Sequence, residues 1–293
     1  MGFKSSPTSS TNVKSQNENL KKFITKYRPY VTIVIPAYNE AKNIGLVIDG
    51  VKKYSNRIIV VDDGSRDQTA EVAKAHGADV IQHARNSGKG KALRRGLKAA
   101  LEFEKTRYII TLDSDNQHCP DDIPSLLAVL LREKADIVVG RRIIFDSKSQ
   151  FMPPHRLWSN FVTSSFLRFF IGFKIRDVQS GYRCYRRKIV AKTVDSLKKS
   201  HFDMETEILL QAWLHYRAFI TDAPVKMLYG QGEGSEMRLI TDTWRWFITV
   251  LEKLVDVESY RLPLPRTSRF GAIGLILFEL GFAFSPFLLA LFV

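Results

Sequence analysis

Between residues 31 and 140 the chain alternates short apolar runs with segments whose apolar positions recur every three or four residues. The runs at 31–36, 57–61, 79–82, 108–112 and 136–140 are rich in Val and Ile and have the length of strands. Most are apolar at consecutive positions, as expected of strands covered on both faces. The segments between them, at about 41–54, 67–76 and 91–104, carry helical spacing. Together they predict an α/β fold, with a Rossmann-like, mostly parallel sheet and helices on both faces. In such a sheet ligands gather at the carboxyl ends of the strands, so the residues just after each strand are the ones to read for chemistry.

The two ends break this pattern. Residues 1–20 are rich in Ser, Thr and Asn and lack an apolar core segment, so a disordered tail is expected over 1–28 and not a signal peptide. Residues 270–293 form a 24-residue apolar run broken only by Glu279 and Pro286. At about 1.5 Å per residue it would cross ~30 Å of hydrocarbon, which predicts a transmembrane segment, with a buried core helix as the alternative. Arg261, Arg266 and Arg269 precede it and would keep the preceding domain on the cytoplasmic side of the membrane. The expected division is a tail at 1–28, a catalytic domain at 29–240, juxtamembrane amphipathic helices at 241–269 and the membrane segment at 270–293.

Composition sharpens the picture. A chain of 293 residues, 45% hydrophobic and 25% charged, buries a sizeable core. Its net charge of +14 favours an anionic partner, and residues 132–199 hold 16 Lys and Arg against 5 Asp and Glu. That basic stretch contains the aromatic segment 156–173, which reads as an interfacial helix at a bilayer, or else as an ordinary core helix. No zinc finger or helix-turn-helix pattern accompanies the charge, so nucleic acid is not the expected partner. Two cysteines, Cys119 and Cys184, exclude a disulfide framework, a four-thiolate iron–sulfur cluster and Cys-rich zinc sites.

The strand ends carry carboxylates: Glu40 after the first strand, Asp62 and Asp63 after the second, Asp113 and Asp115 after the fourth. Two Asp at i and i+2 beyond a buried strand place like charges together, which a cation would relieve. A hard divalent ion, Mg2+ or Mn2+, suits them, with water and a substrate diphosphate completing its shell. Lys89, between Gly88 and Gly90, would offset phosphate charge, but it is followed by Gly90 and Lys91 and so does not build a nucleoside-triphosphate loop. Arg141 and Arg142 follow the fifth strand, and Arg156 precedes Ser159 and Asn160, a combination suited to a phosphate at a membrane surface.

Five ordered motifs, V-T-I-V-I-P-A-Y-N-E, V-V-D-D-G-S, N-S-G-K-G-K-A, D-S-D-N-Q-H and D-V-Q-S-G-Y-R, resemble those of the family 2 GT-A glycosyltransferases over about residues 30–250. Within that family the resemblance is to the polyprenyl (dolichyl) phosphate sugar synthases. It implies a GT-A fold and an inverting transfer of one sugar from a nucleotide sugar to a polyprenyl monophosphate. The nucleotide sugar would lie against Pro36, Ala37, Tyr38, Glu40, Asp62, Asp63, Lys89, Asp113, Ser114 and Asp115, and the metal on Asp113, Asp115 and Gln117. Asp113, Asp115 and Arg141 would be catalytic, and Arg141, Arg156, Ser159, Asn160 and Arg183 would take the acceptor phosphate. The family's R-x-x-G-x-S-K segment is replaced here by residues 231–238, leaving Arg238 as the candidate to supply its cation.

A lipid monophosphate, with a second pKa of roughly 6, is already an anionic nucleophile and needs no general base. A hydroxyl acceptor on a glycan or glycolipid is the alternative, and there Glu205 would serve as base. The Gly88-Lys89-Gly90 segment leans toward a UDP-sugar (UDP-glucose or UDP-GlcNAc type) over GDP-mannose. A homo-oligomer is left open.

Overall fold

The computed structural model describes residues 10–142, 164, 165, 175–200, 203–228 and 249. Seven strands form one sheet: β1 (Val31–Ala37), β2 (Arg57–Asp62), β3 (Asp79–Gln82), β4 (Tyr108–Thr111), β5 (Ile137–Arg142), β6 (Arg183–Arg186) and β7 (Ile220–Val225), in the order β3-β2-β1-β4-β6-β5-β7. All neighbours are parallel except β6, which runs antiparallel between β4 and β5. The mixed α/β, Rossmann-like sheet agrees with the mostly parallel arrangement expected from the apolar runs. β6 has a consequence for the site. Because it runs backwards, its first residue, Arg183, lies beside Thr111 at the end of β4, and the preceding residues 180–182 reach the edge where the other strands finish.

The helices are α1 (Ser10–Tyr27), α2 (Ile44–Val51), α3 (Thr69–Ala75), α4 (Lys89–Leu101), α5 (Ile123–Arg132), α6 (Arg187–Thr193) and α7 (Asp203–Tyr216). In α4 the buried positions Gly90, Ala92, Leu93, Gly96, Leu97 and Ala100 follow the 3.6-residue period and lie on the sheet. Each fully buried Leu of this kind stabilises the fold by about 1.5–3 kcal/mol. Pro124 opens α5, where a missing amide costs nothing. Two apolar cores result, one on each face of the sheet: Val34, Val61, Leu93 and Ile109 belong to one, and Ile33, Ile35, Val60 and Ile110 to the other. Alternate residues of the same strand thus serve opposite faces.

The expected disordered tail is corrected over 10–27. There α1 forms, and Phe23, Ile24 and Tyr27 pack on the core, with the Tyr27 ring edge-on to Tyr108 at 6.1 Å. Apolar residues at i, i+1 and i+4 on an otherwise polar helix suffice to dock it. No helix among the described residues is long and apolar enough to cross a membrane. The aromatic segment 156–173, apart from residues 164 and 165, and the apolar run 270–293 lie outside the described residues.

Candidate active site

The first wall of the site is a pair of interlocked turns. Pro36 and Ala37 are buried in β1, in register with Val61 and Asp62, and their side chains pack in the sheet. Tyr38 and Glu40 follow, half-buried, on either side of Asn39, whose positive φ of 54° a short polar side chain tolerates. The Asn39 amide donates to Ser65 Oγ at 2.9 Å, the Arg66 amide to Asn39 Oδ1 at 2.9 Å, and the Glu40 amide to Thr69 Oγ1 at 2.8 Å. The Glu40 carboxylate accepts from Asn43 Nδ2 at 2.8 Å.

Asp62 and Asp63 are both buried and serve different loops. Asp62 caps its own turn, accepting from the Ser65 amide at 3.0 Å and from the Ser65 hydroxyl. Asp63 reaches across to the loop before α4, accepting from the amides of Ser87 at 3.0 Å and Gly88 at 2.7 Å and bonding His83 Nδ1 at 2.7 Å. Gly88 has φ 96° and ψ 145°, a conformation open essentially to glycine alone, and that geometry presents its amide to Asp63.

Lys89 comes next, and its ammonium is the centre of the site. Nζ lies 2.6 Å from Asp113 Oδ1 and 2.9 Å from Glu205 Oε1, joining the start of α4, the end of β4 and the first turn of α7. Burial alone would lower the Lys89 pKa, but the two carboxylates, Asp113 first, raise it and keep the ammonium charged. Burial would likewise raise Asp113, yet the charge and hydrogen bond of Lys89, with the nearby His118 and Arg142, together outweigh it and hold the carboxyl at about 2. Gly181, delivered to this edge by the reversed β6, completes the arrangement. A Cβ there would stand 2.8 Å from Asp113 Oδ1 and 2.9 Å from Glu205 Oε1.

Asp115 is pushed up by burial and then by the charge of Asp113. Its Oδ1 accepts the Gln117 amide at 3.0 Å across a turn in which Asn116 has φ 59°. Ser114 is buried between the two acids, and Gln117 also fixes the loop through its carbonyl, which accepts the Leu228 amide at 2.8 Å. His118, buried and stacked on Tyr182 at 4.9 Å, accepts the Asp113 amide on Nδ1 at 3.1 Å. No group of three or more His, Cys, Asp and Glu among the described residues makes a ready metal cage. Asp113 and Asp115 nevertheless fit a hard divalent ion as donors, because their mutual repulsion is what such an ion relieves.

The expected acceptor residues divide. Arg141 sits at the end of β5 with Nε 3.3 Å from Asp222 Oδ1, while Arg142 grips Asp177 through two bonds of 2.6 and 2.9 Å and contributes to lowering Asp113. Arg183 is a correction. It is 0% exposed, and its guanidinium donates to the carbonyls of Ser180 at 2.8 Å, Val178 at 2.8 Å and Glu205. It braces the Gly181 loop against α7 and has no face toward an acceptor. Arg156, Ser159, Asn160 and Arg238 lie outside the described residues. Glu205, expected only as a base for a hydroxyl acceptor, instead shares Lys89 with Asp113. Its place at this edge follows from helix α7 starting beside the Gly181 loop, which no spacing in the chain announces.

A Rossmann-like sheet whose carboxyl edge presents a D-x-D pair and a half-buried lysine is an α/β fold of the GT-A type. The chain belongs to glycosyl transferase family 2, whose family description matches residues 32–194, more than half its length, and it is a glycosyltransferase. It is similar to the UDP-N-acetylglucosamine–dolichyl-phosphate N-acetylglucosaminyltransferase of Methanococcus voltae, 29% identical over 68% of this chain and 86% of that protein. It also resembles the dolichyl-phosphate beta-glucosyltransferase of Mus musculus, 28% identical over 80% of this chain and 77% of that one. Among solved structures, glucosyl-3-phosphoglycerate synthase from Mycobacterium tuberculosis, in complex with Mn2+, UDP and phosphoglyceric acid, shares the fold with a TM-score of 0.63 and 22% identity, over 80% of this chain and 81% of that one.

Proposed function

We propose that this protein transfers one sugar from a nucleotide sugar to the phosphate of a polyprenyl or dolichyl monophosphate, with inversion at the anomeric carbon. The observation that carries the reading is the half-buried Lys89 ammonium held between Asp113 and Glu205 beside the D-x-D pair. The names of the Methanococcus and mouse relatives support the choice of a lipid phosphate as acceptor.

The chain's own groups suffice for much of the work. Lys89 keeps its charge at the point where negative charge would collect on a departing nucleoside diphosphate, and such fixed charge in a buried site is worth far more than in water. The bare backbone at Gly181 lets Asp113 and Glu205 pack their oxygens against it while both reach Lys89, so the two acids hold the ammonium in place for the diphosphate. A Mg2+ or Mn2+ on Asp113 and Asp115 would act as a Lewis acid on the diphosphate. The acceptor needs no base, since a lipid phosphate is already anionic at neutral pH, and Arg141, at the end of β5, would orient it. A UDP-sugar is the favoured donor. Attachment to the membrane through the apolar run 270–293 and the basic aromatic segment 156–173, with the domain on the cytoplasmic side, completes the reading.

The test is a screen of radiolabelled UDP-glucose, UDP-GlcNAc and GDP-mannose against polyprenyl phosphate and polyprenyl alcohol. A product formed with the phosphate and not with the alcohol is expected. Transfer to the alcohol alone would overturn the reading and return Glu205 to the role of base.

A further inference from the structure

We infer that Glu207 is a positioning residue for Lys89, acting through the segment 197–200. The inference rests on the reading of Lys89 as the cation that meets the donor diphosphate. Glu207 lies two residues beyond Glu205 on α7 and so does not share its face. It is wholly buried, and its Oε2 accepts the amides of Lys198 at 3.0 Å and Lys199 at 2.9 Å. A buried carboxylate that takes two backbone amides makes charge-assisted bonds and fixes both peptides.

The next residue carries that constraint to the site. The Ser200 carbonyl accepts the Gly90 amide at 2.9 Å, a first-turn donor of α4 that a helix cannot satisfy internally, and at 3.4 Å it shares the Lys91 amide, which donates to the Gly88 carbonyl at 2.9 Å. At the other end of the segment, Arg94 Nη1 donates to the Leu197 carbonyl at 2.6 Å. Segment 197–200 is therefore a strap laid along the start of α4. Asp63 holds the Gly88 amide on the opposite side, so Lys89 is the residue between two backbone holds. Helix α7 thus governs Lys89 twice, at its ammonium through Glu205 and at its peptide through Glu207. With the Gly90 amide taken by Ser200 and the Lys91 amide shared between Gly88 and Ser200, the strap fixes the peptides that follow Lys89 and so sets the position of its side chain.

The experiment titrates the full chain with UDP, UMP, GDP and GMP, comparing wild type with Glu207→Ala, Glu207→Gln, Lys89→Met and the double variant Lys89→Met/Glu207→Ala. Glu207→Ala is expected to weaken the preferred nucleoside diphosphate tenfold or more and its monophosphate less than twofold. Glu207→Gln, which retains an acceptor oxygen, is expected to stay within threefold of wild type. In the Lys89→Met background Glu207→Ala should cost nothing further, since groups acting through one another are not additive. Equal losses for mono- and diphosphate, or the same loss in both backgrounds, would mean a general structural role and overturn the inference. Intact diphosphate binding in Lys89→Met would overturn the diphosphate reading, and this inference with it. A normal loss in Lys89→Met with a silent Glu207→Ala would overturn the strap alone. Should Glu207→Ala not fold, Arg94→Met loosens the same strap from its other end, and it must show the same selective loss for the inference to stand.

Discussion

Asp63 receives the Gly88 amide at 2.7 Å, which puts the second carboxylate after β2 one peptide away from Lys89. The end of β2 and the loop that leads from β3 into α4 are thus tied by a side chain. Asp63 serves the site by shaping the 86–88 loop, whatever else it meets when a nucleotide is present.

Replacing Asp63 with Ala should therefore free that loop. Three donors, the amides of Ser87 and Gly88 and the His83 ring, lose a buried acceptor; Gly88 keeps only Asn86 Oδ1 at 3.1 Å, and a buried donor left without a partner costs about 1–3 kcal/mol. The expected result is faster hydrogen exchange at Ser87 and Gly88 and weaker binding of nucleoside mono- and diphosphates alike. Unchanged exchange at those two amides would show that the loop holds its shape without Asp63.

Gly181→Ala tests the packing of the acidic pair. The added Cβ would lie 2.8 Å from Asp113 Oδ1, and that carboxylate is not free to swing away, because Lys89 holds it at 2.6 Å. Displacement of reacting groups by about 1 Å can cost on the order of 100-fold in rate. Turnover is expected to fall by 10- to 100-fold, with folding little affected. A variant as active as wild type would mean that Asp113 and Glu205 do not work from these positions.

Arg183→Met should act on stability. The guanidinium satisfies three carbonyls in the core, and removing it leaves them buried without donors, a loss of roughly 3 kcal/mol or more. For a domain of this size that corresponds to a fall in Tm of about 6–12 °C. Thermal unfolding by circular dichroism measures it. An unchanged Tm together with a raised KM for the acceptor would restore Arg183 to the phosphate-binding role expected from its motif.

Arg183 also shows where reading the chain reaches its limit. A cation inside a recognisable motif looks the same whether it meets a ligand or three carbonyls, and only the fold reveals which. β1, β2 and β4 were legible because both of their faces are covered, leaving continuous Val and Ile runs. β7 was not, since Asp222 and Pro224 argue against a strand, yet it forms the edge of the sheet, where proline is tolerated. β6 has only four residues with an Arg at each end, and its reversed direction is what brings Gly181 to Asp113. Asp63, Lys89, Asp113 and Asp115 were legible as candidate site residues because they follow strands or open a helix at the carboxyl edge. The sharing of Lys89 between Asp113 and Glu205 was not, because those residues come from elements more than 90 positions apart.

Asp115→Ala separates the metal-binding role of the acidic pair from its place in the fold. In the absence of a cation Asp115 is a burden: burial and the neighbouring charge of Asp113 both push its pKa up, so its ionised form is disfavoured where it stands. Its structural contribution is the acceptance of one amide, that of Gln117 at 3.0 Å. Removing the carboxylate therefore relieves repulsion while giving up one local bond, and the thermal midpoint of the metal-free variant should match wild type or exceed it. Transfer should fall by about 100-fold or more, because a divalent ion loses one of its two carboxylate donors and the diphosphate loses part of its charge compensation. The stabilisation of wild type by added Mn2+, read as a rise in Tm with metal concentration, should shrink in the variant, since a ligand stabilises only in proportion to its affinity. Lys89 and Asp113 remain paired in Asp115→Ala, so a collapse of the Tm would point to a structural acid instead. Full transfer in the presence of a chelator, or an undiminished Mn2+-dependent rise in Tm, would remove the metal from Asp115.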